Sequence, residues 1–160
     1  MRSDAPFEAI NFGELPDRVN RLLQDGVLAY RSDPACADAL FRLALAHDPA
    51  TLPVYLCLYK IHTYQGNLAE ARAMAQAGLA EATRQAGWAA HWHDWPTPAV
   101  VPDGPGRFAL YTLKALAFIA LRDRRAHHAA DKLTALRRID PDGVVGWPVV
   151  AALASGAFGG

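Results

Sequence analysis

A repeat of 34 residues constrains this chain more than any other feature. Ala37, Phe41, Ala44 and Pro49 lie four, three and five residues apart, and Ala37 recurs 34 positions on as Ala71, with Ser32 recurring as Gly66. A period of that length marks stacked helical hairpins, because a single hairpin cannot bury its apolar face and needs neighbours to cover it. The expected fold is therefore all-α. The expected mode of action is holding another protein.

Local chemistry marks the helix ends. Pro16 followed by Asp17 suits a first helical turn, and Val19, Leu22, Leu23, Val27 and Tyr30 fall near one side of a helix that runs to Arg31. Ser32 and Asp33 can cap a second helix with Pro34 at its first position. Asp48-Pro49 ends that helix, because proline disfavours the helical state of the residue before it. Thr51 opens a third helix through Tyr64. Gln65-Gly66-Asn67 makes the next turn, and Asn67 with Glu70 three positions on has capping-box spacing. Two hairpins are thus expected over about 16–49 and 51–86. Beyond Gly87 the period breaks: residues 88–107 carry Pro96, Pro98, Pro102 and Pro105 and read as an insertion loop. Helical patterning resumes at Phe108, where Leu116, Ala129 and Leu133, closing at Asp140-Pro141, form a third hairpin over about 107–141. Ala71 and Ala129 are 58 positions apart, one period of 34 plus 24 inserted residues. Asp142-Gly143 turns the chain, Pro148 starts a capping helix over about 147–155, and the glycine-rich end is expected to fray.

Residue by residue, the second hairpin resembles the tetratricopeptide-repeat family. Tyr55, Leu58, Gly66, Leu68 and Ala71 fall where that family places its aromatic, its leucine, its turn glycine, its large apolar residue and its small packing alanine. The resemblance implies a superhelix of about three α–α hairpins forming one domain over 1–160, with a C-terminal cap and a Pro/Trp-rich insertion. The chain departs from the pattern at Tyr59, where a small residue is usual, at His62, where an aromatic is usual, and at Gly26, one residue late relative to Ala37. It also has Thr83 in place of the closing proline, which implies a longer fourth helix. The segments Tyr59 to Leu68 and Val145-Gly146-Trp147-Pro148 further resemble small tetratricopeptide proteins encoded with bacterial nitrogen-fixation genes, which implies an accessory or assembly role.

Composition narrows the partner. The 160 residues balance 16 basic against 16 acidic side chains, which removes the electrostatic reason to expect nucleic acid or an anionic membrane. Charges such as Lys60 and Arg122 interrupt the apolar stretches well short of the roughly 20 residues that span a bilayer. Met1 to Glu8 carries Asp4 and Glu8 and does not read as a secretion signal, so the cytoplasm is the expected compartment. Cys36 and Cys57, without CxxC spacing, are expected as small core residues.

In tetratricopeptide arrays the first helix of each hairpin lines the concave face. The resemblance therefore assigns a partner-binding surface to Lys60, Thr63 and Tyr64 on the second hairpin and to Tyr111, Lys114, Phe118 and Arg122 on the third. Interleaved aromatic and cationic side chains suit an extended peptide or a C-terminal carboxylate. The family's chaperone-tail clamp sets asparagines beside its lysines, and none lies near these positions. The alternative is that Lys60, Lys114 and Arg122 form a solvated face. His91, His93 and Asp94 could reach one Zn²⁺ or Cu²⁺, with His127-His128 folding back, against the reading that Trp88, Trp92 and Trp95 pack the loop while the histidines face water. No phosphate-cradling loop, nucleophile elbow or acidic pair is present, and a Cys57/His62 pair falls on a helix expected to be packed. The expectation is a non-catalytic protein without a cofactor. Self-association is the other class: the run Phe108 to Leu121, with Val149, Val150 and Leu153, would offer a homodimer an apolar face.

Overall fold

A computed structural model describes residues 15–157. The readings of Met1–Glu8 and of the glycine-rich terminus at 158–160 lie outside the described residues. Among the described residues there are helices and no strands: α1 (Asp17–Tyr30), α2 (Pro34–His47), α3 (Leu52–Tyr64), α4 (Leu68–Ala86), α5 (Pro105–Arg122), α6 (Ala126–Ile139) and α7 (Trp147–Ala152). A 3-10 turn (Trp92–Asp94) interrupts the loop before α5, and a π-helical turn (Leu153–Ala157) follows α7. The chain divides into two compact units, Met1–Ala75 and Gln76–Gly160, with the division falling inside α4.

In the first unit the core is Val19, Ala37, Phe41, Ala44, Val54, Leu58 and Ile61, all essentially inaccessible to solvent. Asp33 starts α2 by accepting a hydrogen bond from the Cys36 amide at 3.1 Å, with Pro34 in the first turn, where its missing N–H costs nothing. Gly66 ends α3 with φ of +79°. The amides of Gly66 and Asn67 return to the carbonyls of Thr63 and His62 at 3.1 and 2.8 Å, a Schellman closure. Gly26 lies against the ring of Phe41, a close approach of α1 to α2. Cys36 is exposed, not a core residue, because it stands one position, about 100° of helix, from buried Ala37. Cys57 is buried.

In the second unit the core is built on α5 and α6, which pack on each other and bury Phe108, Leu110, Leu113, Ile119, Leu136 and Ile139. Helix α5 begins at Pro105, three residues before the expected Phe108. Proline is a breaker inside a helix but pre-organised in the first turn, so the fourth proline of the loop belongs to the helix. The α5–α6 turn has no glycine. Arg124 takes the left-handed conformation at φ of +61°, and Arg125 N–H reaches Ala120 O at 2.8 Å. At the end of α6 Asp140, 0% exposed, accepts the amides of Val144 and Val145 at 2.8 and 3.0 Å, while its carbonyl accepts Trp147 Nε1–H at 2.6 Å. One buried aspartate thus folds the Pro141–Gly146 turn through its carboxylate and seats α7 through its backbone carbonyl.

Candidate functional site

Helix α5 presents the clearest surface. Its buried positions alternate with a stripe at Arg107, Tyr111, Lys114, Phe118 and Arg122, spaced four, three, four and four residues and therefore on one side of the helix. The first four are half-buried and Arg122 is exposed. Cations lie on rings along it. Lys114 Nζ is 4.0 Å from the centroid of Tyr111, and the Arg122 guanidinium is 5.9 Å from that of Phe118. Such pairs hold long flexible side chains against rigid faces and lower the entropy lost when a partner arrives. Arg107, which the sequence did not single out, joins the stripe and pairs with Asp103 at 3.3 Å. Its spacing of four residues from Tyr111, about one helical turn, was the available signal.

Helix α3 lies in the other unit and contributes a smaller patch. Tyr64 is 58% exposed and Lys60 half-buried. Thr63 is not a surface residue: it is 9% exposed and its hydroxyl donates to the Tyr59 carbonyl at 2.7 Å, the back-bond a helical threonine makes when it faces inward.

His62 is held by polar contacts. Its Nε2 is 2.8 Å from Asp38 Oδ1 and its Nδ1 is 3.3 Å from Asn67 Nδ2. Asp38 also accepts from Arg42 Nε at 2.8 Å, and Arg42 reaches on to Glu70. Burial pushes the Asp38 carboxyl up, but the hydrogen bonds from Arg42 and His62 outweigh it and hold the group below its usual range. Cys57 is no nucleophile for His62, since burial raises its thiol to about 12 and leaves it protonated at neutral pH.

The insertion loop is held by its tryptophans and by α6. Trp95, 3% exposed, donates its indole N–H to Ala89 O at 2.8 Å and packs on Trp88 with ring centroids 5.2 Å apart. Asp131 accepts Trp92 Nε1–H at 3.0 Å through one oxygen and lies 2.8 Å from His93 Nε2 through the other. Arg138 donates to the carbonyls of Trp92, His93 and Trp95. Of the candidate metal residues, His91 accepts the His93 amide through Nδ1 at 3.2 Å, the two imidazoles stack at 4.7 Å, and Asp94 is exposed. His127 and His128 are exposed on α6. Among the described residues no three His, Cys, Asp or Glu side chains are grouped to hold a metal ion.

The apolar run that suggested a homodimer is largely used within the chain. Phe108, Ala109, Leu110, Leu113, Leu116, Ala117, Ile119, Ala120 and Leu121 are buried, and so is Val150, leaving Val149 exposed and Leu153 half-buried. No described helix is long and apolar enough to cross a membrane. No family model, curated protein or solved structure matches this chain.

Proposed function

We propose that this chain is a non-catalytic interaction module of the tetratricopeptide type, which holds a protein or peptide partner against the exposed side of α5. The observation that carries the reading is the Arg107–Tyr111–Lys114–Phe118–Arg122 stripe, where aromatic area and positive charge alternate along a helix otherwise buried in its unit. Aromatic and arginine side chains dominate binding hot spots because they bury large area while making directional polar contacts, and truncating one typically costs about 2 kcal/mol or more. Three cations in one line favour a partner that brings carboxylates. Helix lengths, the Gly66 turn and the buried small residues Ala71 and Ala75 support the family reading.

The test is capture of partners from the native host with the wild-type chain, with Lys114→Ala/Arg122→Ala, and with Arg18→Ala/Arg21→Ala, which changes two exposed cations of α1. Loss of a specific partner from the α5 variant alone supports the reading, and that partner should also be lost as salt rises. Equal retention by all three refutes it. An accessory role in nitrogen fixation is the narrower form of the proposal, tested by deleting the gene and comparing growth on dinitrogen with growth on ammonium.

A further inference from the structure

Charge is unevenly placed in a chain whose total is zero. From Gly104 to Ala130 five Arg and Lys side chains stand against a single acid, Asp123. At the end of this stretch, in the turn from α5 into α6, Arg122, Arg124, Arg125, His127 and His128 are all exposed. Asp123 pairs with Arg125, its Oδ2 3.1 Å from Nε, and the next acid along the chain, Asp131, is held by Trp92 and His93. Among the described residues no acidic side chain pairs with Arg122 or Arg124. The guanidinium of Arg122 lies near the Phe118 ring, a contact that leaves its charge intact.

The backbone of Arg124 singles out this turn. The helices α3, α4 and α5 end in the same pair of closing hydrogen bonds: Gly66 and Asn67 to Thr63 and His62, Gly87 and Trp88 to Arg84 and Thr83, Arg124 and Arg125 to Leu121 and Ala120. Glycine takes the left-handed position in the first two, whereas Arg124 takes it in the third at φ of +61°, where a Cβ is disfavoured. The closure uses only the Arg124 amide, so the fold gains nothing from the arginine side chain that would offset this strain. Strain of that kind is characteristic of residues that serve a ligand. We infer that the turn receives an acidic segment of the protein partner, with carboxylates on Arg122 and Arg124 beside His127 and His128, an inference that rests on the proposed use of α5 as the partner surface. A guanidinium matches a carboxylate through two parallel hydrogen bonds. An acidic peptide is favoured over nucleic acid or an anionic membrane because a net charge of zero gives no long-range pull on an extended polyanion. Arg122 also ends the α5 stripe, so one extended peptide can run from the rings of Tyr111 and Phe118 onto the turn.

The probes are octaglutamate, a neutral glycine–serine peptide of the same length and an oligothymidylate of the same length, each titrated into ¹⁵N-labelled protein at about 20 mM salt. Octaglutamate should shift the backbone signals of Arg122 to His128 saturably below about 2 mM and lose that effect at about 300 mM salt, with the neutral peptide inert and the oligonucleotide weaker. Arg124→Gly should bind octaglutamate at least about threefold more weakly although its urea midpoint rises, a combination that a purely structural role for Arg124 does not produce. Arg124→Lys, which restores the charge, should stay within about twofold of the wild type. Absence of saturable shifts, unchanged affinity in Arg124→Gly, equal loss in Arg124→Gly and Arg124→Lys, or tighter binding of the oligonucleotide would each overturn the inference. Lys114→Ala separates it from the α5 reading. Weakening by Lys114→Ala but not by Arg124→Gly rejects the turn and leaves the stripe, and weakening by Arg124→Gly but not by Lys114→Ala keeps the turn and counts against the stripe.

Discussion

Replacing Gly26 by alanine sets two effects of opposite sign against each other, and the structure decides between them. Alanine in a helix interior is favoured over glycine by about 1 kcal/mol, so propensity alone predicts a more stable protein. A Cβ at position 26, however, would lie 2.4 Å from Phe41 Cε1, 2.8 Å from Cδ1 and 2.9 Å from Cζ. Carbon atoms in contact sit about 3.5 to 4.0 Å apart, so the ring or the helix must retreat by about 1 Å. Phe41 cannot do so freely, being 0% exposed among Val19, Val54, Leu58 and Ile61. Overpacking of that kind costs typically about 1 to 3 kcal/mol, which leaves a net loss of up to about 2 kcal/mol after the propensity gain. Urea unfolding followed by far-UV circular dichroism measures it, as a lower midpoint with unchanged slope. Gly26→Ala combined with Phe41→Leu should show a favourable coupling of about 1 kcal/mol or more, because the shorter side chain removes the clash. A single variant that is stabilised would refute the close approach of α1 to α2.

Asp140→Ala should destabilise by about 2 to 4 kcal/mol by removing the acceptor for the part-buried Val144 and buried Val145 amides, and should shift the near-UV signal of Trp147, whose indole bonds to the backbone carbonyl of the same residue. Arg124→Gly should stabilise by about 0.5 to 1 kcal/mol in the same urea assay, since glycine relieves the left-handed strain and gives back part of the gain as unfolded-chain entropy. Asp38 has a depressed folded-state pKa, so its contribution is complete above the unfolded carboxyl value of about 3.9 and is lost as pH falls through the lower folded value. Stability measured from pH 6 down to about pH 2 should therefore fall less steeply in Asp38→Asn than in the wild type.

Much of the helical layout could be read from the chain because its boundaries depend on short-range chemistry. Asp33-Pro34, Gly66 and Gly87 act through steric and hydrogen-bonding effects within a few residues, and each marks a helix end. Pro105 shows the limit of that reading: the same residue breaks a helix or opens one depending on where the helix starts, and composition does not distinguish the two. The end of α5 was hidden for the opposite reason. Its left-handed closing residue is Arg124, and no glycine advertises it. Sites obeyed a similar divide. The α5 stripe follows from helical spacing, whereas Thr63, one residue from exposed Tyr64, turns inward to its own backbone. The pairing of Asp131 with Trp92 and His93 spans 39 and 38 positions, and nothing local encodes it.

The most direct test of the proposed function is site-specific photo-crosslinking in the native host, with p-benzoylphenylalanine placed at Phe118, between Lys114 and Arg122 of the α5 stripe, and, as a control, at Arg18 on α1. The reading predicts a discrete crosslinked product with a second protein from position 118 and none from position 18, and the product should disappear when Lys114→Ala/Arg122→Ala is added. A folded protein that gives no product from position 118, or the same products from both positions, would contradict it.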